Sequence, residues 1–255
     1  MRVTWAVLSH PGLRRSSNED SYCARPDLGL FLVADGMGGH VAGEVASRVA
    51  VGAIEAFTTE TAGLDCNRTW PFPYDPQLSV EANRLKAAFR LANRRIADTM
   101  AGAEGLRGMA TTASGLLIGP RGTSVAHIGD SRVYRLRLGA LDQVTRDHSW
   151  VEEQVRSGAM TASAARQHPW RNIVTRALGG GDDPEVDVVD LSLEPGDRVL
   201  LCSDGLYSVV LDARIADVVG GPEPLEAICQ TLVAEANAAG GPDNITALVL
   251  QVDAE

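Results

Sequence analysis

Short apolar runs and longer helical stripes divide the chain into recognisable elements. Val3 to Leu8 reads as a first strand, and Leu30–Ala34 (LFLVA) is a continuous apolar run of the kind a strand buried on both faces shows. From about Gly43 to Thr59 the period becomes helical, with Val45, Val49, Ala53 and Phe57 on one face. A second long helix is predicted from Ser79 to Met100, with Leu85, Phe89, Ala92, Ile96 and Met100 in register. Between them, roughly 62–78 is irregular and rich in proline and aromatics, as expected of a loop or insertion.

Beyond residue 110 the period shortens. Thr111–Ile118, Thr123–Ile128 and Val133–Leu138 read as successive strands punctuated by Gly119-Pro120-Arg121-Gly122 and Gly129-Asp130-Ser131. Ser149–Ser157 is predicted as a short helix, and Gly158 to Gly181 as a mobile excursion with little apolar pattern. Strands return at Val186–Leu193 and Arg198–Ser203, helices at Asp212–Val219 and Glu223–Ala238, and a strand at Ile245–Val252. There is no internal repeat and no linker. Strands and helices that come in blocks, without strict alternation, predict an α+β layered fold in one domain spanning 1–255.

Composition narrows the function. The 255 residues carry 23 basic and 33 acidic side chains, a formal net charge of −10. With no Lys/Arg run, a nucleic-acid partner is not expected, because such affinity comes mostly from neutralising phosphates. Phosphate chemistry remains open, since bound cations can supply positive charge locally. The apolar run in MRVTWAVLSH is too short for a signal peptide, and no stretch approaches the roughly 20 apolar residues that span a bilayer. Cys23, Cys66, Cys202 and Cys229 form no CxxC pair, so neither a disulfide framework nor a cysteine zinc site is expected. A cytoplasmic protein without a membrane partner is the expectation.

The placement of particular acids carries the chemistry. Asp35 directly follows LFLVA and Asp204 follows VLLCS, each with glycine next. Asp130 closes VAHIG, Asp243 lies two residues before ITALVLQV, and Asp20, with Glu19 beside it, stands between the first two predicted strands. Each has an ordinary reading alone. Asp204-Gly205 suits a hairpin turn, Asn18-Glu19-Asp20-Ser21 a turn or helix cap, and Asp243-Asn244 a loop pair. As a set on one rim of the sheets they would repel severely without cations. An all-oxygen set with no HxxxH pairing suits Mg²⁺ or Mn²⁺ rather than Zn²⁺, and Gly36 leaves its own carbonyl free to turn toward an ion. No GxSxG elbow, cysteine phosphate loop, GxGxxG or GxxxxGK is present, so neither a covalent nucleophile nor a nucleotide loop is indicated.

At these residues the chain resembles the metal-dependent serine/threonine protein phosphatases of the PPM (PP2C) family, in their bacterial form. The resemblance is carried by GLRRSSNEDS (12–21), VADGMGGHVAGEVAS (33–47), MATTASG (109–115), AHIGDSRVYRL (126–136), TRDHSWVEEQVRSG (145–158), HPWRNIVTRALG (168–179), GDRVLLCSDGLYSVV (196–210) and GGPDNITALVL (240–250). It implies a four-layer α-β-β-α sandwich of two antiparallel sheets flanked by helix pairs, with two Mn²⁺ or Mg²⁺ ions in the cleft. Asp20, Asp35, Asp204 and Asp243 match the carboxylate ligands, with Asp35 bridging, the Gly36 carbonyl on one ion and Glu19 acting through water. Arg15 matches the arginine that grips the substrate phosphate. Bacterial members often hold a third, weaker ion, for which Asp130 with Asp204 is the matching pair. Residues of about 147–178 correspond to a flap that influences substrate choice.

The implied reaction is hydrolysis of phosphoserine and phosphothreonine in proteins by direct attack of a metal-activated water. The partners would be phosphorylated proteins, including a cognate Ser/Thr kinase or its targets. The alternative is a catalytically silent regulatory module that kept the fold. Two departures stand out: Met37 occupies the place of a histidine credited as general acid in eukaryotic members, leaving His40 as the candidate substitute, and Ala110 replaces a glycine.

Overall fold

The computed structural model describes residues 2–38, 41–63, 71–181 and 183–253. Its first sheet has five strands in the order β1 (Val3–His10), β11 (Ile245–Val252), β10 (Arg198–Cys202), β7 (Arg132–Arg137) and β8 (Ala140–Gln143). The second runs β2 (Asp20–Arg25), β3 (Leu30–Met37), β5 (Ala113–Gly119), β6 (Gly122–Ile128) and β9 (Asp187–Asp190), with β4 (Ala110–Thr111) pairing the end of β3. All these pairings are antiparallel.

Strand alternation explains why the central strands read as unbroken apolar runs. Phe31 and Val33 face the other sheet, meeting Val199, Leu201, Leu248 and Leu250, all essentially without solvent contact. Leu30, Leu32 and Ala34 point the opposite way, onto α1 (Val41–Glu60) and α2 (Val80–Ala101). On the other side, Leu200, Cys202, Ala247 and Val249 pack under α6 (Asp212–Val219) and α7 (Leu225–Ala238). Both sheets are thus buried on two faces, giving the four-layer α-β-β-α order.

Several sequence expectations shift. On α1 the fully buried stripe is Ala46, Ala50 and Ile54, one residue along from Val45, Val49 and Ala53, which are only partly covered. Small alanines let the helix lie close to the sheet, so the deepest positions are not the bulkiest. Asp20 does not stand in a loop: it opens β2, which the sequence did not signal. The hairpin partner β8 was also missed, and Asp204-Gly205 is not a hairpin turn but starts a helical turn, α5 (Asp204–Tyr207). The excursion after α3 (Trp150–Arg156) contains a further helix, α4 (Ala162–Gln167), and is tied back by bridges between Ser149 and Val174 and between Thr111 and Leu178. Of the 62–78 insertion, residues 64–70 lie outside the described residues. Phe72 lies under the Arg94 guanidinium of α2, 4.2 Å from ring centre to carbon.

Candidate metal centre

The acidic residues converge at one end of the two sheets. Asp20 and Asp35 are direct cross-strand partners on β2 and β3 of one sheet. Asp204 follows β10 and Asp243 precedes β11 of the other, while Asp130 lies in the turn from β6 to β7 that connects the sheets. Arg15, Glu19, Asp35, Gly36, Met37, Asp130, Asp204 and Asp243 line a common cavity of about 250 Å³. His40, the substitute acid, and Cys66 lie outside the described residues; Cys23, Cys202 and Cys229 are buried free thiols.

Asp20, Asp35 and Asp130 are anchored by hydroxyl and amide donors. Asp20 Oδ2 accepts from Ser203 Oγ at 2.7 Å and Thr246 Oγ1 at 2.6 Å, two hydroxyls of the opposite sheet. The Asp35 carbonyl accepts from Thr112 N and Thr111 Oγ1, and its N–H donates to Thr112 Oγ1. The Asp130 carbonyl accepts from Tyr207 Oη at 2.8 Å. Asn244 organises the loop that carries Arg15 and Glu19: its Oδ1 accepts the Glu19 N–H, and its Nδ2 donates to the carbonyls of Pro11 and Ser17. Arg15 Nη2 lies 2.7 Å from Asp243 Oδ2, with about half of the side chain still exposed at the cavity mouth.

Gly36 has a packing cause that the sequence did not reveal. A Cβ there would sit 2.0 Å from the Gly43 carbonyl oxygen and 2.7 Å from that of Glu19, so no side chain fits between β3 and the first turn of α1.

Burial and mutual repulsion push the carboxyls up. Burial raises Asp20 to about 6, with Asp243 and Glu19 adding repulsion against the pull of its two hydroxyl donors. Asp130 rises to about 7, chiefly by burial and then by Asp147. Asp35 and Asp204 are raised for the same first reason, followed by repulsion from the other acids of the ring. Asp20 Oδ1 and Asp204 Oδ1 are buried with no hydrogen-bond partner. Such atoms are costly unless a cation completes them. Among the described residues no three His, Cys, Asp or Glu side chains enclose a point by themselves.

Comparison with known proteins agrees. A family model described as protein phosphatase 2C matches residues 14–245. The chain belongs to the protein phosphatase 2C family. It is 38% identical over 250 residues to the serine/threonine protein phosphatase PstP of Mycobacterium tuberculosis, covering 98% of this chain but 45% of that protein's length. It therefore spans about half of that relative. To the protein phosphatase PhpP of Streptococcus pneumoniae it is 36% identical over 257 residues, 98% of each chain. A solved structure of the PstP catalytic domain in complex with two manganese ions superposes with a TM-score of 0.83 at 35% identity, over 99% of both chains. Within this protein phosphatase 2C fold, sequence reasoning missed Ser203, Thr246, Asn244, Thr111, Thr112 and Tyr207 as anchors. It also missed Asn172 and Val174 as cavity wall.

Proposed function

We propose that this chain hydrolyses phosphoserine and phosphothreonine in proteins, using two Mn²⁺ or Mg²⁺ ions held by Asp20, Asp35, Asp204 and Asp243 and the Gly36 carbonyl. Glu19 contributes through water, and a third, weaker ion sits at Asp130 with Asp204. The single observation that carries the reading is the pair of buried, unpartnered carboxylate oxygens on Asp20 and Asp204, which come from opposite sheets and lie close enough to repel each other. Ions bound there supply Lewis acidity and lower the pKa of coordinated water. Arg15 stands at the mouth with one nitrogen on Asp243, and its remaining N–H groups meet the phosphoryl oxygens. Met37 lines the cleft and offers no proton.

The segment of about 147–178 acts as a flap: Asn172 and Val174 reach the cavity, and its two helices wall an adjoining groove of about 400 Å³ that shares Asp130 and Asp204. That continuity supports binding of the polypeptide flanking the phosphate. The partners are phosphorylated proteins, a cognate Ser/Thr kinase or its targets among them, in the cytoplasm, where the three described cysteines stay reduced. Among the described residues no helix is long and apolar enough to cross a membrane. Turnover of a phosphothreonine peptide by the pure protein with Mn²⁺, and its loss on chelation, is the expected result. A folded, Mn²⁺-loaded protein inert toward several phosphopeptides would make it a silent binding module.

A further inference from the structure

The turn that carries Asp130 is held on its far side by a histidine that never reaches the cleft. Gly129 adopts φ +104°, and a Cβ on it would collide with Thr112 at 2.4 Å, so the turn is tight and strained for any other residue. Thr112 Oγ1 lies 2.5 Å from Ser131 Oγ and also accepts the Asp35 N–H, which joins the Asp130 turn to the end of β3 on the near side. Opposite, the Gly129 N–H donates to His148 Nδ1 at 3.1 Å, and the His148 N–H donates to the Gly129 carbonyl at 2.7 Å. Residue 148 thus grips residue 129 twice, once through the backbone and once through the ring.

The ring is fixed in turn. With Nδ1 accepting, its proton sits on Nε2, which is buried and faces Asp187 Oδ2 on the edge strand β9 at 3.2 Å without a hydrogen bond. The buried ring of His127 stacks against it, with centroids 4.8 Å apart, and His127 Nε2 meets the Arg146 carbonyl. The His148 carbonyl accepts the Thr175 N–H, which closes the base of the 147–178 segment, and the neighbouring Ser149 bridges Val174 at the cavity wall. One residue therefore connects the Asp130 turn, the edge of a sheet and both roots of the flap.

We infer that His148 is a positioning residue, whose Nδ1 holds the Gly129–Asp130 turn at the geometry needed for cation binding and ties that turn to the root of the flap. The inference rests on the reading of Asp130 as the ligand of the weaker ion. Residues that orient a ligand from behind are commonly worth ten- to a hundredfold in metal affinity, and a buried N–H that loses its acceptor is costly.

The test uses two replacements that keep different edges of the ring. In His148→Asn an amide oxygen stands near the Nδ1 position and keeps an acceptor for Gly129. In His148→Gln the amide reaches the Nε2 position, toward Asp187, and that acceptor is gone. Calorimetric titration with Mn²⁺ resolves the weakest binding event. His148→Gln is expected to weaken that event about tenfold and to speed hydrogen exchange of the Gly129 amide, while His148→Asn leaves both within about twofold of the parent. Asp130→Asn should remove the same event.

If Asp130→Asn removes it but the two His148 variants leave it unchanged, or weaken it equally, His148 does not position the turn. An Asp130→Asn protein that keeps every Mn²⁺ event refutes the ligand reading itself, and the inference with it. Should His148→Gln not fold, nitrogen NMR of the parent imidazole decides: a proton on Nε2 with Nδ1 accepting supports the inference, and a proton on Nδ1 overturns it.

Discussion

The same strands behave in opposite ways along their length. In the middle, Phe31, Val33, Val199, Leu201, Leu248 and Leu250 close a dry interface between the sheets. At one end of the sheets, β2, β3, β10 and β11 carry or adjoin carboxylates that repel one another, two with a buried oxygen left unpartnered. The first region stabilises the fold without any ligand, through roughly 25 cal/mol per Å² of apolar area removed from water. The second stores the opposite: charge density that a bound cation or a proton relieves. A protein can carry such a destabilised rim because the dry interface beside it holds the strands in place, an arrangement in which local rules are broken where function resides.

The sharpest break in that contrast is at the rim. Asp204→Asn should reduce phosphopeptide turnover to the metal-free background, while chelator-treated variant protein melts at least as high as the parent, since a buried repulsive charge has gone. Thermal scans beside activity assays check both halves. In the dry interface the order reverses: Phe31→Ala should cost about 3–5 kcal/mol of stability, read by denaturant unfolding, with residual Mn²⁺-dependent turnover per folded molecule preserved.

A smaller effect follows from proton linkage. Asp20 and Asp130 titrate higher in the folded chain, at about 6 and about 7, than in the unfolded one. Between the unfolded carboxylate range and those values the native state binds more protons. Metal-free stability from these groups is therefore full below about pH 4 and lost as pH rises toward 7. Saturating Mn²⁺ should flatten or reverse that slope, because the ion binds the deprotonated acids. Melting temperatures from pH 5 to 7.5 with chelator and with Mn²⁺ measure it.

Much of this division was legible in the chain. LFLVA announced a strand buried on both faces, VLLCS and ITALVLQV announced strands, and the acids at their ends announced the rim; the bounds of α6 and β11 coincide with the expectation. What stayed hidden depends on long-range pairing. Ser203 and Thr246 look like ordinary strand residues, yet they serve Asp20 from 183 and 226 positions away. Asn244, an unremarkable loop residue in sequence, holds the loop of Arg15 from 225 or more residues distant. Strands β2 and β8 escaped because DSYCAR and ALDQ are short and largely polar, stable only against a neighbour already in place.

The hydroxyls of Ser203 and Thr246 reach Asp20 only once one sheet has stacked on the other. The acid ring is therefore incomplete until the two sheets have docked, a long-range closure of the kind that slows folding. Cations are then expected to act as a latch rather than a nucleus, slowing unfolding more than they speed folding.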